Sequence, residues 1–107
     1  MSLITTHVLD NSTGLPAAGI AVVLAAPNGD QIAVGTTDED GRIGELGPEA
    51  LDPGAYQLRF ATGEHFAARG QQTFFPEVVI TFDVGDAAHY HVPLLLSPFA
   101  YSTYRGS

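Results

Sequence analysis

The sequence has no cysteine and no lysine. Without cysteine, disulfides, zinc–thiolate centres and thiol nucleophiles are excluded outright. Without lysine, the cations are Arg42, Arg59, Arg69 and Arg105, set against twelve acidic residues for a formal net charge of −8. An acidic chain with no clustered cations is poorly suited to nucleic acid or to an anionic membrane surface, because both are held by basic patches. Neither is expected as a partner. An anionic small molecule would have to be held by one of the four arginines. Long apolar runs are missing too: no stretch approaches the roughly 18 residues of a membrane span. The opening MSLITTHVLD has no charged segment followed by a long apolar one, so no signal peptide is expected. The closing RGS matches no retrieval or peroxisomal address. The expected location is cytoplasmic. Charged residues are scarce at 15%, which fits a surface partly covered by partner subunits.

What is present reads as short strands punctuated by turns. The 107 residues are one domain's worth, 1–107, with no repeat, linker or low-complexity segment. Leu3 to Leu9 alternates, with Ile4, Thr6 and Val8 on one face and Thr5, His7 and Leu9 on the other. A turn-forming run, Asp10 to Gly14, ends it. Ile20 to Ala26 and Gln31 to Thr37 read as a hairpin around Asn28-Gly29, a pair that tolerates the positive φ of tight turns. Asp38 to Gly41 is a turn leading into a short strand from Arg42 to Leu46, and Pro48 to Gly54 is a loop. Ala55 to Ala61 alternates again. The segment Gly63 to Arg69, with Thr62 as N-cap and Gly70 as stop, is the expected helix, and His65 on it reads as exposed. Val78 to Val84, Tyr90 to Leu96 and Ala100 to Arg105 complete the strands. Seven or eight short strands with one short helix point to an all-β, antiparallel sandwich.

Histidine and arginine carry the candidate chemistry. His7 lies on the first strand; His89 and His91 are two apart and share a face of a late strand. Imidazoles near their ordinary pKa exchange protons at neutral pH. A single strand histidine is more often structural than catalytic. His89-x-His91 also suits zinc or copper, but no third ligand lies close in sequence. Arg42 reads either as a turn-flanking residue paired with a nearby acid or as a planar fork for carbonyl and anionic oxygens. Arg105 sits in a tail that would ordinarily fray, though Tyr101 and Tyr104 argue against disorder there. No G-x-S-x-G elbow and no phosphate-binding loop is present.

Five segments together resemble one family. They are Ile4-Thr5-Thr6-His7-Val8-Leu9-Asp10 with Gly14-Leu15-Pro16-Ala17, then Thr37-Asp38-Glu39-Asp40-Gly41-Arg42, then Phe74-Phe75-Pro76-Glu77-Val78, then His89 through Pro98, and finally Tyr101-Ser102-Thr103-Tyr104-Arg105-Gly106-Ser107. In this order, and ending on Tyr-Arg-Gly-Ser, the chain resembles the 5-hydroxyisourate hydrolases of the transthyretin-related family. The resemblance implies a transthyretin-like β-sandwich of two four-stranded sheets with one short helix. It implies a homotetramer, a dimer of dimers, with sites in the channel between dimers. It implies hydrolysis of 5-hydroxyisourate to a ureidoimidazoline without metal or organic cofactor. Carried over residue by residue, His7, Arg42 and His91 resemble the catalytic trio, with His7, Arg42, Tyr104 and Ser107 at the substrate and His89 in a lesser role. A binding module of the same fold, carrying small ligands without catalysis, is the alternative.

Overall fold

β1 (Ile4–Asp10) sets the two faces of its sheet. Ile4 and Val8 are fully buried and Thr6 nearly so, while His7 and Leu9, one position out of phase, are half-buried. Side chains alternate across a strand, so Thr5, His7 and Leu9 share the outer face. The computed structural model describes residues 2–107. Position 1 of the expected 1–107 domain lies outside the described residues.

After β1 come β2 (Leu15–Pro16), β3 (Ala21–Ala25), β4 (Gln31–Thr36), β5 (Arg42–Ile43) and β6 (Gly54–Phe60). The helix α1 (Thr62–Ala68) follows, then β7 (Val78–Val84), β8 (Tyr90–Ser97) and β9 (Ala100–Thr103). One sheet has the order β2-β1-β8-β9, with β5 also paired to β1, and the other has the order β4-β3-β6-β7. The expected pair of four-stranded sheets is the main path of each; β5 adds a two-residue strand to the first. The loop that carries β5 returns to the edge of β1 that β2 leaves unpaired, through Thr6↔Ile43 and His7↔Arg42.

The pairing that matters most for the site is β1 with β8. It is parallel, running from Ile4↔Tyr90 to Asp10↔Leu96. A parallel pair needs a long connection, and here most of the chain lies between the two strands. Between the sheets the core is filled by Ile20, Leu24, Leu58, Phe60, Phe66 and Leu94, all at 1% exposure or less. Each such side chain contributes about 1.5–3 kcal/mol by leaving water. No helix of the described residues is long and apolar enough to cross a membrane.

Several local expectations shift. At the β3–β4 turn only Gly29 takes positive φ (92°), and Asn28 does not. Asn28 instead accepts from the Asp30 backbone and donates to its carboxylate, both at 3.0 Å. Thr62 lies inside α1 rather than capping it: its hydroxyl donates to the Phe75 carbonyl at 2.7 Å, and the N-cap position belongs to Ala61. His65 is not exposed. Its side chain is 9% accessible, and Nε2 lies 2.8 Å from Asp10 Oδ2, tying the helix to the end of β1. A loop carbonyl and a buried carboxylate, both distant in sequence, override the local helix signals.

Candidate active site

Three segments meet on the outer face of the β1–β8 sheet. β1 contributes Thr5 and His7, β5 contributes Arg42, and β8 contributes His91. Arg42 is set there by the turn before it. Asp38 Oδ1 accepts the backbone N–H groups of Asp40 (2.9 Å) and Arg42 (3.0 Å). Gly41 has φ +74°, and a Cβ at that position would run into the Val8 carbonyl, so only glycine lets the turn sit against β1. His7 and Arg42 are then direct cross-strand partners, close enough for their side chains to interact. The guanidinium is exposed.

His91 is held from several sides. Thr5 is its register partner, and Thr5 Oγ1 lies 2.8 Å from His91 Nδ1. The same hydroxyl lies 2.9 Å from His89 Nε2. The two imidazoles are near-parallel, 6.4 Å between centroids. Burial first, and then the charge of Arg42 and electrostatic interaction with His7 and His89, push the His91 imidazole below the usual 6.5. An imidazole that loses its proton readily is neutral near pH 7 and offers a lone pair. Among the described residues, no group of three or more potential ligands forms a metal site. The two nitrogens that face each other in the His89-x-His91 pair turn to Thr5.

The C-terminal segment does not fray. β9 pairs with β8 from Ser97↔Ala100 to Leu94↔Thr103. Beyond it, Thr103 Oγ1 donates to the Pro93 carbonyl at 2.7 Å, and the Gly106 N–H donates to the His91 carbonyl at 2.9 Å. The Arg105 guanidinium stacks over the Tyr90 ring, 4.9 Å from its centroid. A Cβ on Gly106 would come within 2.5 Å of His91 Cδ2, so the tail is packed against the ring.

The outcome is two shallow clefts that share His91. One, of about 220 Å³, is lined by Thr5, Arg42, His89, His91 and Ser107, among others. The other, of about 400 Å³, includes Tyr104, Arg105 and Asp83. Of the residues singled out from the sequence, Arg42, His91 and Ser107 converge in the first cleft. His7 lies on the same face beside them, and Tyr104 lies on the far side of His91. Thr5 was the residue missed. Its spacing of two from His7 marks it as sharing that face, but its contact with His91, 86 positions away, rests on the parallel pairing of the chain's two ends.

The comparisons with known proteins bear on this arrangement. The model of the HIUase/Transthyretin family matches residues 4–106. The chain belongs to the HIUase/Transthyretin family. It is 47% identical to the 5-hydroxyisourate hydrolase of Caulobacter vibrioides, over the full length of both. It is similar to the solved 5-hydroxyisourate hydrolase of Klebsiella pneumoniae, with 42% identity, a TM-score of 0.91, and 99% and 100% of the two chains covered. It is also similar to sea bream transthyretin solved with thyroxine, with 32% identity, a TM-score of 0.90, and 97% and 94% covered. The transthyretin-like sandwich is therefore the fold of this family member, as its segments implied.

Proposed function

We propose that this chain hydrolyses 5-hydroxyisourate to 2-oxo-4-hydroxy-4-carboxy-5-ureidoimidazoline, in the breakdown of urate. The observation that carries the reading is the meeting of His7, Arg42 and His91 on one sheet face, with Ser107 in the same cleft. The chain's likeness to named hydrolases, at 47% and 42% identity, supports it.

In this mechanism a water gives its proton to His91 Nε2 while its oxygen attacks the ring carbonyl. The tetrahedral intermediate collapses, the carbon–nitrogen bond breaks, and the proton passes from His91 to the leaving nitrogen. His91 suits the base role because burial and the Arg42 charge beside it favour its neutral form. General-base help of this kind contributes about 10²–10⁴-fold. Arg42 stabilises the negative charge that develops on the carbonyl oxygen and holds the purine oxygens. His7, Tyr104 and Ser107 orient the substrate. The residues provide the whole proton path, with no cofactor in the scheme.

The first cleft, at about 220 Å³, is smaller than the roughly 300 Å³ or more of a typical ligand pocket. A second subunit facing the same sheet would close it, which supports a homotetramer built as a dimer of dimers. The domain is proposed to be the whole 1–107 unit, acting in the cytoplasm.

The test is a coupled assay. Urate oxidase supplies 5-hydroxyisourate, and its ultraviolet absorbance decay is followed with and without the chain. Decay well above the spontaneous rate is expected. Decay at the spontaneous rate would overturn the enzyme reading. It would favour the second one, a small-ligand carrier, which the likeness to a transthyretin solved with thyroxine brings forward.

A further inference from the structure

We infer that Thr5 is a positioning residue: its single hydroxyl, shared between His89 and His91, holds His91 in the Nδ1–H tautomer and leaves the Nε2 lone pair in the cleft for the attacking water. The inference rests on the hydrolase reading above and deepens it.

The argument is one of counting hydrogens. Thr5 Oγ1 touches His91 Nδ1 at 2.8 Å and His89 Nε2 at 2.9 Å. A hydroxyl owns one hydrogen and two lone pairs, so at least one ring must supply an N–H. If His91 Nδ1–H donates to Thr5, the Thr5 O–H is free to donate to His89 Nε2, and His89 carries its own hydrogen on Nδ1. Every contact then has one hydrogen. His91 Nε2, which has no hydrogen-bond partner among the described residues, is left as an acceptor. The opposite chain, from His89 Nε2–H through Thr5 to His91 Nδ1, would put the hydrogen on His91 Nε2 and disable the base. A histidine side chain in water prefers that Nε2–H form, so a base at Nε2 needs an acceptor fixed at Nδ1. The Thr5 hydroxyl oxygen supplies one, placed there by the strand pairing. Thr5 and His91 are register partners, and Thr5 is 8% exposed.

The arrangement also says what happens when water gives up its proton. The imidazolium that forms keeps its Nδ1–H on Thr5, now as a charge-assisted bond. Thr5 in turn is polarised toward His89. The charged and titratable groups facing His91 are Arg42 from β5, His7 from β1, and His89 just before β8, with Tyr90 beside it. Asp83 from β7 and Tyr104 and Arg105 from the tail face it across the second cleft. Arg42, His7 and His89 oppose the extra proton. Thr5 Oγ1 is the acceptor that stabilises it.

The experiment is long-range ¹⁵N–¹H NMR of the histidine rings in the full chain near neutral pH, joined to the coupled assay on Thr5→Val and Thr5→Ser. The wild type should show His91 as the Nδ1–H tautomer. Thr5→Val, which keeps the shape and removes the hydroxyl, should move it toward Nε2–H. It should lower kcat by about 10–100-fold, the range known for partners that orient metal-bound histidines, and leave KM nearly unchanged. It should also shift the acid limb of kcat/KM to lower pH, because the imidazolium has lost its acceptor. Thr5→Ser should restore the tautomer, rate and limb. A purely structural role would lower the rate without moving the limb. An Nε2–H tautomer in the wild type would overturn the inference, as would wild-type kcat and limb in a folded Thr5→Val. If Thr5→Val fails to fold, the wild-type tautomer decides alone. If the wild type does not hydrolyse 5-hydroxyisourate, the hydrolase reading fails visibly, and the ring spectra still report on Thr5.

Discussion

β1 holds a histidine at each end, and the two are used differently. At its C-terminal end, His65 from α1 meets Asp10; at its N-terminal end, His91 from β8 meets Thr5. The first imidazole faces a carboxylate that is 2% exposed, and the second a neutral hydroxyl with Arg42, His7 and His89 nearby. Around Asp10, burial pushes the carboxyl up, but hydrogen bonds from His65 and Ser12 and the His65 charge outweigh it and hold it below the usual 3.8. Around His91, burial, the Arg42 charge and the electrostatics of His7 and His89 act in the same direction, away from the proton. The carboxylate ties His65 to the end of β1. The neutral hydroxyl leaves His91 suited to the base role proposed for it. Residue type is the same at both; the difference lies in what the fold sets against each.

The comparison breaks most sharply at His91. Replacing it with Asn should lower kcat by about 10²–10⁴-fold, the general-base contribution, with thermal stability little changed by scanning calorimetry. In the unaltered chain the base works only when deprotonated. Its lowered pKa therefore puts the acid limb of kcat/KM below the usual 6.5, and a limb above that value would contradict the environment described. Arg42→Ala should lower kcat by about 10²–10³-fold, the loss of a charge-stabilising donor, and should move the His91 titration upward in a histidine-resolved NMR titration, since a positive neighbour is gone. Gly106→Ala brings a Cβ to within 2.5 Å of His91 Cδ2. A displaced base costs up to about 10²-fold, so steady-state kinetics should show a fall in kcat while the denaturation midpoint holds.

The smallest effect on rate, and the one that sharpens the contrast, belongs to the other end of β1. Asp10→Asn should leave kcat and KM near wild type and cost about 1–3 kcal/mol of stability, as for a buried polar pair that loses its match. Asp10 has a folded pKa below its unfolded one, so its contribution is present above 3.8 and is lost as pH falls through the lower folded value. Urea denaturation at neutral and at acid pH should show the variant's deficit at the first and its disappearance at the second. A deficit that persists at acid pH would mean that the pair stabilises by packing and not by charge.

Much of the fold was legible because its signals are local. Alternation gave the strand Val78–Val84 to the residue and most others to within one or two positions. Asp38 and Gly41 announced the turn that delivers Arg42, since an aspartate cap and a positive-φ glycine act within five residues. β2 went unread, because two residues such as Leu15–Pro16 carry no periodicity. His65 was misread because only the fold brings Asp10 to it from 55 positions away. The site residues His7, Arg42, His91, Tyr104 and Ser107 were marked by type and by resemblance. That His7 faces Arg42 and that Ser107 shares a cleft with His91 are matters of strand pairing, on which no local pattern bears.

By itself, then, the sequence determined where most of the strands lie, where the chain turns, and which side chains are able to move a proton, because these follow from alternation, backbone preference and side-chain chemistry. Only the tertiary structure decided what each of those histidines meets, a carboxylate at His65 and a hydroxyl at His91. The parallel pairing of β1 with β8 brings Thr5 to His91 across 86 positions, and the burial and charge that set a proton's affinity exist only once such distant segments meet.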